Sequence, residues 1–214
     1  MRYYIADNHF FHAGVNTRMD HRGFSDVETM NEYMIDQWNS RVRKNDEVVI
    51  LGDLSIGGVD QTTEVIKRLK GRKYMIVGNH DKFLTNKFDA SLFQFIGGYH
   101  EMNDNGRKVV LCHYPILCYN GQFRRSENSE PKVYMLHGHI HNTQDITVVE
   151  AAKGFAREFK RAVRGSDEPM AAPVNIINCF CMFSDYVPLT LDEWIDLEKR
   201  GDLNKPHADW RYDE

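Results

Sequence analysis

The chain has 214 residues, 42% of them hydrophobic and 27% charged, with a formal net charge of -4. This composition supports a packed core and excludes a low-complexity or disordered chain. The mild acidity argues against a surface that is a nucleic-acid footprint throughout, while a local strand-binding groove stays open.

No apolar run reaches the ~20 residues of a bilayer-spanning helix, so no membrane partner is expected. The opening "MRYYIADNHFFH" lacks the apolar stretch of a secretory signal. Cys112, Cys118, Cys179 and Cys181 form no disulfide or zinc framework, and a reduced, cytoplasmic setting is the expectation. Cys179-x-Cys181 reads as strand packing.

In chain order, Tyr3–Ala6 is a short apolar run of the buried-strand kind. Ser25-Asp26-Val27-Glu28 has capping-box spacing, and Val27, Met30, Met34, Trp38 and Val42 come after it near the helical period. Val48–Leu51 predicts a second strand. Asp60–Lys70 predicts a helix with Val65, Ile66 and Leu69 inward, stopped by Gly71. Further strands are predicted at Tyr74–Val77, Val109–Cys112 and Val133–Leu136. A third helix is predicted over Thr147–Arg164, apolar at Val148, Ala152, Phe155, Phe159 and Val163, within a helical insertion at about 143–172. That helix is expected to pack on its own domain. Val174–Ile177 is the last predicted strand, Thr190-Leu191-Asp192-Glu193 opens a short helix, and the tail after Gly201 is polar. No repeat or linker divides the chain, so residues 1–214 read as a single α/β domain.

The residues just past each strand point to chemistry. Asp7-Asn8-His9 comes after the first, Gly52-Asp53 after the second and Gly78-Asn79-His80-Asp81 after the third. His113 comes after the fourth, and His137-Gly138-His139-Ile140-His141 after the fifth. Open α/β sheets build sites at the carboxyl ends of their strands, and ten histidines scattered at random would not favour those ends. Carboxylate, imidazole and amide donors without thiolate suit Mn, Fe, Co, Ni or Zn. His139 and His141, if extended, share a face ~6.6 Å apart. That spacing suits one histidine on each of two ions about 3.5–4 Å apart. Two such cations repel, so a shared anionic ligand is expected, and Asp53 is the natural bridge. The residual positive charge favours an anionic substrate, for which phosphate fits.

The ordered set Asp7-x-His9, Gly52-Asp53, Gly78-Asn79-His80-Asp81, His113 and Gly138-His139-x-His141 resembles the calcineurin-like metallophosphoesterase superfamily. Together with "DNHFFHAGVN" and "MNEYMIDQWNSRVRKNDEVVILGDL" it looks like a small bacterial and phage-type branch. The resemblance implies an α/β sandwich with two central mixed β-sheets flanked by helices. It implies that Asp7, His9, Asp53 and His141 hold one divalent ion and that Asp53, Asn79, His113 and His139 hold the other. A metal-bridging hydroxide would then attack the phosphorus of a phosphodiester or phosphomonoester. His80 would be catalytic, stabilising the transition state or protonating the leaving oxygen. Gly78 is expected to supply a sharp turn and Asp81 to orient a neighbour.

His12, Tyr114, Arg124 and Arg125 are further candidates for substrate contact, the two arginines because they come after His113 on the expected metal side. The expected partner is a small phosphate ester or nucleotide, and the chain is expected to be a monomer or homodimer. Two rivals share the motifs: a nuclease acting on nucleic-acid ends, and a non-catalytic scaffold that keeps the fold as a binding surface.

Overall fold

A computed structural model of the protein describes residues 1–162, 167–171 and 174–203. Val163 and Arg164 of the predicted third helix, part of the 143–172 segment, and the tail beyond 203 lie outside them.

The elements run β1 (Arg2–Ile5), α1 (Val27–Arg41), β2 (Glu47–Ile50), α2 (Val59–Arg68) and β3 (Arg72–Ile76). Then come β4 (Phe95–Gly97), β5 (Tyr99–Asp104), β6 (Arg107–Cys112), β7 (Val133–His137) and α3 (Asp145–Glu158). Two-residue strands β8 (Lys160–Arg161) and β9 (Met170–Ala171) precede β10 (Ile176–Asn178) and α4 (Leu191–Arg200). One sheet has the order β1-β2-β3-β4 with every pair parallel. The other has the order β10-β7-β6-β5, parallel except for the β5–β6 hairpin.

Side-chain alternation along the strands builds the layers. Tyr3, Ile5, Val48, Ile50 and Met75 face Met30, Met34, Trp38, Val65 and Ile66 of α1 and α2. The opposite face, with Tyr4, Ala6, Val49, Leu51 and Ile76, packs on Val109, Leu111, Tyr134, Leu136 and Ile177 of the second sheet. The outer face of that sheet, Val110, Val133, Met135 and Ile176, is covered by Ile146 and Val149 of α3. Helix α4 closes the seam between the sheets with Leu191, Trp194 and Ile195, and Trp194 Nε1 donates to Tyr4 O at 3.0 Å. A parallel bridge between Ala6 and Phe180 joins β1 to the segment after β10. Hence β1, β2, β3, β6 and β7 all end on one side of the molecule, and the loops bearing the candidate ligands meet there.

Four local expectations are corrected. Asp26, not Ser25, caps α1, because its carboxylate accepts from Thr29 N at 2.7 Å and suits the positive helix end. The third helix stops at Glu158, and β8 pairs with β9, placing the Arg161 guanidinium 3.9 Å from the centre of the Phe123 ring. The stripe through Val148, Phe155 and Phe159 faces outward, with 67% exposure at Val148 and Phe155, while the neighbouring face is buried. The last strand begins at Ile176 rather than Val174. Strands β4 and β5 were not anticipated. Among the described residues no helix is long and apolar enough to cross a membrane.

Candidate metal centre

The loop after β1 does not leave the sheet cleanly. Asp7 N donates to Gly52 O at 3.1 Å, His9 N to Asp53 O at 2.9 Å and Phe10 N to Leu54 O at 2.9 Å. It therefore stays pressed against the loop after β2 while its side chains are re-aimed by left-handed residues. Asp7, His9 and Asp53 have φ of 57, 53 and 51°, and His139 and His141 have 71 and 46°. Each non-glycine residue in that region stores on the order of 1 kcal/mol or more of strain, and such strain gathers at functional sites. Gly52 has φ of +92°, and a Cβ there would lie 2.2 Å from His113 Nδ1.

Seven side chains from five loops converge. His9 Nε2 lies 3.1 Å from His141 Nε2, and His141 Nε2 lies 3.7 Å from Asp7 Oδ1. Asp53 Oδ2 stands 3.6 Å from His9 Nε2 and 3.4 Å from His113 Nε2. Asn79 Oδ1 lies 3.0 Å from both His113 Nε2 and His139 Nδ1. Two buried triads, Asp7–His9–His141 and Asp7–Asp53–His113, each bring their ligand atoms within 4.8 Å of one another. Asp7 approaches His113 only through Nδ1, at 3.9 Å, and that nitrogen already faces Leu51 O at 2.8 Å. The free His113 Nε2 instead looks at Asp53 and Asn79.

Proton affinities express the same crowding. Burial above all, with His141 and Arg22 nearby, holds His9 well below the ordinary imidazole value. Burial works to lower His113, but hydrogen bonding to Asp53 and the charges of Asp7 and Asp53 carry it up to about 9. Burial raises the Asp7 carboxyl against the pull of His141 and His113. A buried pocket whose carboxylates draw a proton onto a histidine will also draw a cation, which competes with that proton. Convergent imidazole nitrogens, two buried carboxylates and an amide oxygen fit borderline divalent ions.

The supports were not all anticipated. Asp81 accepts from Gly78 N at 2.7 Å, Asp53 N at 2.9 Å and Leu54 N at 2.8 Å, tying the β2 and β3 loops together. Burial foremost pushes its carboxyl up to about 6. Asp20 and Arg22 were missed altogether, since they sit in an irregular loop with no periodic signal. Asp20 Oδ1 lies 2.7 Å from His141 Nδ1, and Arg22 donates to Asp7 O at 2.9 Å and Asn8 O at 2.6 Å. Cys181 Sγ also reaches Asp7 O, at 3.2 Å.

Of the remaining candidates, half-buried His80 lines the open side, its ring 5.4 Å from that of His9 and its N–H donating to Asp53 Oδ1 at 2.8 Å. His12 is tied to the centre, its Nδ1 3.3 Å from His9 Nδ1. Tyr114 is exposed beside His139, their ring centroids 4.4 Å apart. Arg124 and Arg125 are not on this side. Lys132 N donates to Arg124 O, and Arg125 bridges Pro131, immediately ahead of β7. The loop after His113 must travel back along the sheet to start a parallel strand, which carries both arginines a strand length, roughly 16 Å, away from the ligand loops. His137 is buried with Nδ1 2.8 Å from Gly138 O, while His100 stacks on Phe95.

A family model described as calcineurin-like phosphoesterase matches residues 3–202. An uncharacterized protein of Methanocaldococcus jannaschii is 36% identical over 141 residues, covering 65% of this chain and 68% of the relative. The gene 66 protein of Mycobacterium phage D29 is 26% identical, covering 65% of this chain and 78% of the relative. A crystal structure of a protein of unknown function from Aquifex aeolicus shares the fold, with a TM-score of 0.57 and 21% identity over 92% of this chain and 98% of that one. With the family model spanning nearly the whole chain and the α/β sandwich in place, this protein belongs to the calcineurin-like phosphoesterase family.

Proposed function

We propose that this chain hydrolyses phosphate esters at a pair of divalent cations. Asp7, His9, Asp53 and His141 would hold one ion, and Asp53, Asn79, His113 and His139 the other. The observation that carries this reading is Asp53 Oδ2, 3.6 Å from His9 Nε2 and 3.4 Å from His113 Nε2, one anionic oxygen between two groups of donors. When bound, two such cations supply an acidified water and neutralise charge on the phosphoryl oxygens.

The chain's own residues do the rest. Asp53 accepts the backbone N–H of His80 on Oδ1, which fixes His80 beside that carboxylate. The His80 imidazole, at the open side, gives a proton to the leaving oxygen. Tyr114 walls the cleft beside His139. The substrate class is a phosphomonoester or phosphodiester of a small molecule or nucleotide, and the metal is one of Mn, Fe, Co, Ni or Zn. All four cysteines are unpaired, which favours a reduced, cytoplasmic compartment.

Hydrolysis of p-nitrophenyl phosphate and its bis-ester, with Mn, Co or Ni added, tests this reading. Metal-dependent turnover is expected, with Asp53→Ala abolishing it. His80→Ala should lower kcat by about 10²–10⁴ with metal content unchanged. No turnover with any of the three metals, or full activity in Asp53→Ala, would refute it.

A further inference from the structure

The stretch between His12 and α1 is a detour that neither sheet uses. It makes a π-helical turn over Val15–Met19, and its return leg delivers two buried charges, Asp20 at 2% and Arg22 at 9% exposure. Asp20 Oδ2 accepts from Arg22 Nε at 3.0 Å and Nη2 at 2.9 Å. Removing two ions from water carries a penalty of several kcal/mol each, and an apolar pair of similar volume is often no less stable. Stability alone therefore gives this pair little reason to be ionic.

Its remaining contacts supply a reason. Asp20 Oδ1 lies 2.7 Å from His141 Nδ1, so a proton held there leaves the Nε2 lone pair free. That Nε2 faces His9 Nε2 at 3.1 Å and Asp7 Oδ1 at 3.7 Å. Arg22 Nη2 donates to Asp7 O at 2.9 Å and Nη1 to Asn8 O at 2.6 Å, bracketing the left-handed loop of Asp7 and His9. The guanidinium is itself packed 5.5 Å from the centre of the Tyr186 ring. On the other half of the centre, His113 Nδ1 faces a neutral backbone carbonyl, Leu51 O, at 2.8 Å.

We propose that Asp20 and Arg22 are positioning residues for the Asp7–His9–His141 half of the centre. Asp20 sets the tautomer and basicity of His141, and Arg22 clamps the backbone that aims Asp7 and His9. The inference rests on the metal reading of the site and deepens it: the two cation sites are unequal, and the one backed by the charged pair is the tighter. A carboxylate behind a ligating imidazole fixes the ring and strengthens it as a donor, and losing such a partner weakens metal affinity about 10–100-fold.

Calorimetric titration of the metal-free full chain with Mn, paired with Co absorption spectra, tests it. The unaltered chain should take up two ions with distinct affinities. Asp20→Ala should weaken one of them about 10–100-fold and leave the other within about threefold, with loss of one component of the Co spectrum. Asp20→Asn keeps the shape and one acceptor but not the charge, and should weaken the same ion about three- to tenfold. A lowered Tm in the metal-free variants with both affinities intact would show a purely structural role and overturn the proposal. If Asp20→Ala does not fold, a folded Asp20→Asn protein with unaltered affinities overturns it equally. An unaltered chain that takes up no ion would remove the metal reading and this inference together, whereas normal two-ion uptake with unimpaired variants removes this inference alone.

Discussion

Asp53 sits where β2 ends, and Gly78 lies directly against it. A Cβ on Gly78 would fall 2.2 Å from Asp53 Oδ1 and 2.4 Å from Asp53 N. The turn expected at Gly78 is present, at Asn79 and His80, but the φ of Gly78 is not left-handed, so close approach is what excludes a side chain there. Gly78→Ala should therefore push the β2 and β3 loops apart. We expect about 2–3 kcal/mol of destabilisation in urea, within the range for overpacking, and lost uptake of at least one ion. Gly98→Ala is the control, since a Cβ there meets nothing within 4 Å. The residues that converge here were legible because each comes directly after an apolar run. Asp20 was not, because its partner His141 lies 121 positions away and nothing local marks the pairing.

At the level of elements, Lys73 shows how β3 is tied to the helix before it. Its Nζ donates to Leu69 O at 2.7 Å and Gly71 O at 3.1 Å, just past the carboxyl end of α2. Burial lowers its pKa from 10.5 to about 8. The unfolded chain thus binds the proton more tightly than the folded one between those two values, so stability should rise with pH across that window. Urea titrations of the unaltered chain and Lys73→Met from about pH 7.5 to 10.5 should show the difference moving in favour of the lysine as pH climbs. A flat difference would contradict the assignment. All six predicted strands were readable as apolar runs within a residue or two of their true bounds. Strand β4 is a three-residue edge, and β5 is polar, so neither gives such a run. A signal for β5 was nonetheless present: Asn105-Gly106, with φ of 47 and 77°, is the kind of pair that closes a two-residue hairpin. The α3 stripe misled because periodicity marks an apolar face without saying which of two adjacent faces meets the sheet.

Across the whole molecule, the donors are divided between the sheets. Asp7, His9, Asp53 and Asn79 come after strands of the first, and His113, His139 and His141 after strands of the second. A cation held by both groups would resist their separation, so added Mn should raise Tm and a chelator should reverse the gain. At a metal concentration about 100 times Kd the stabilisation is about 2.7 kcal/mol, or roughly 5–10 °C for a chain of this size. An unchanged Tm with Mn, Co and Ni would count against a shared centre. The overall architecture was legible from the order of motifs, whereas the seam was not, because it depends on contacts between the two ends of the chain. That seam also sets an order for folding. Ala6 N donates to Cys179 O, and Tyr4 N to Leu189 O, both at 2.8 Å. One edge of β1 stays unpaired until residues 179–189, which come well after the last candidate donor, His141, are in place. The loop that bears Asp7 and His9 therefore gains its full backing only when the segment from Cys179 to Leu189 docks beside it.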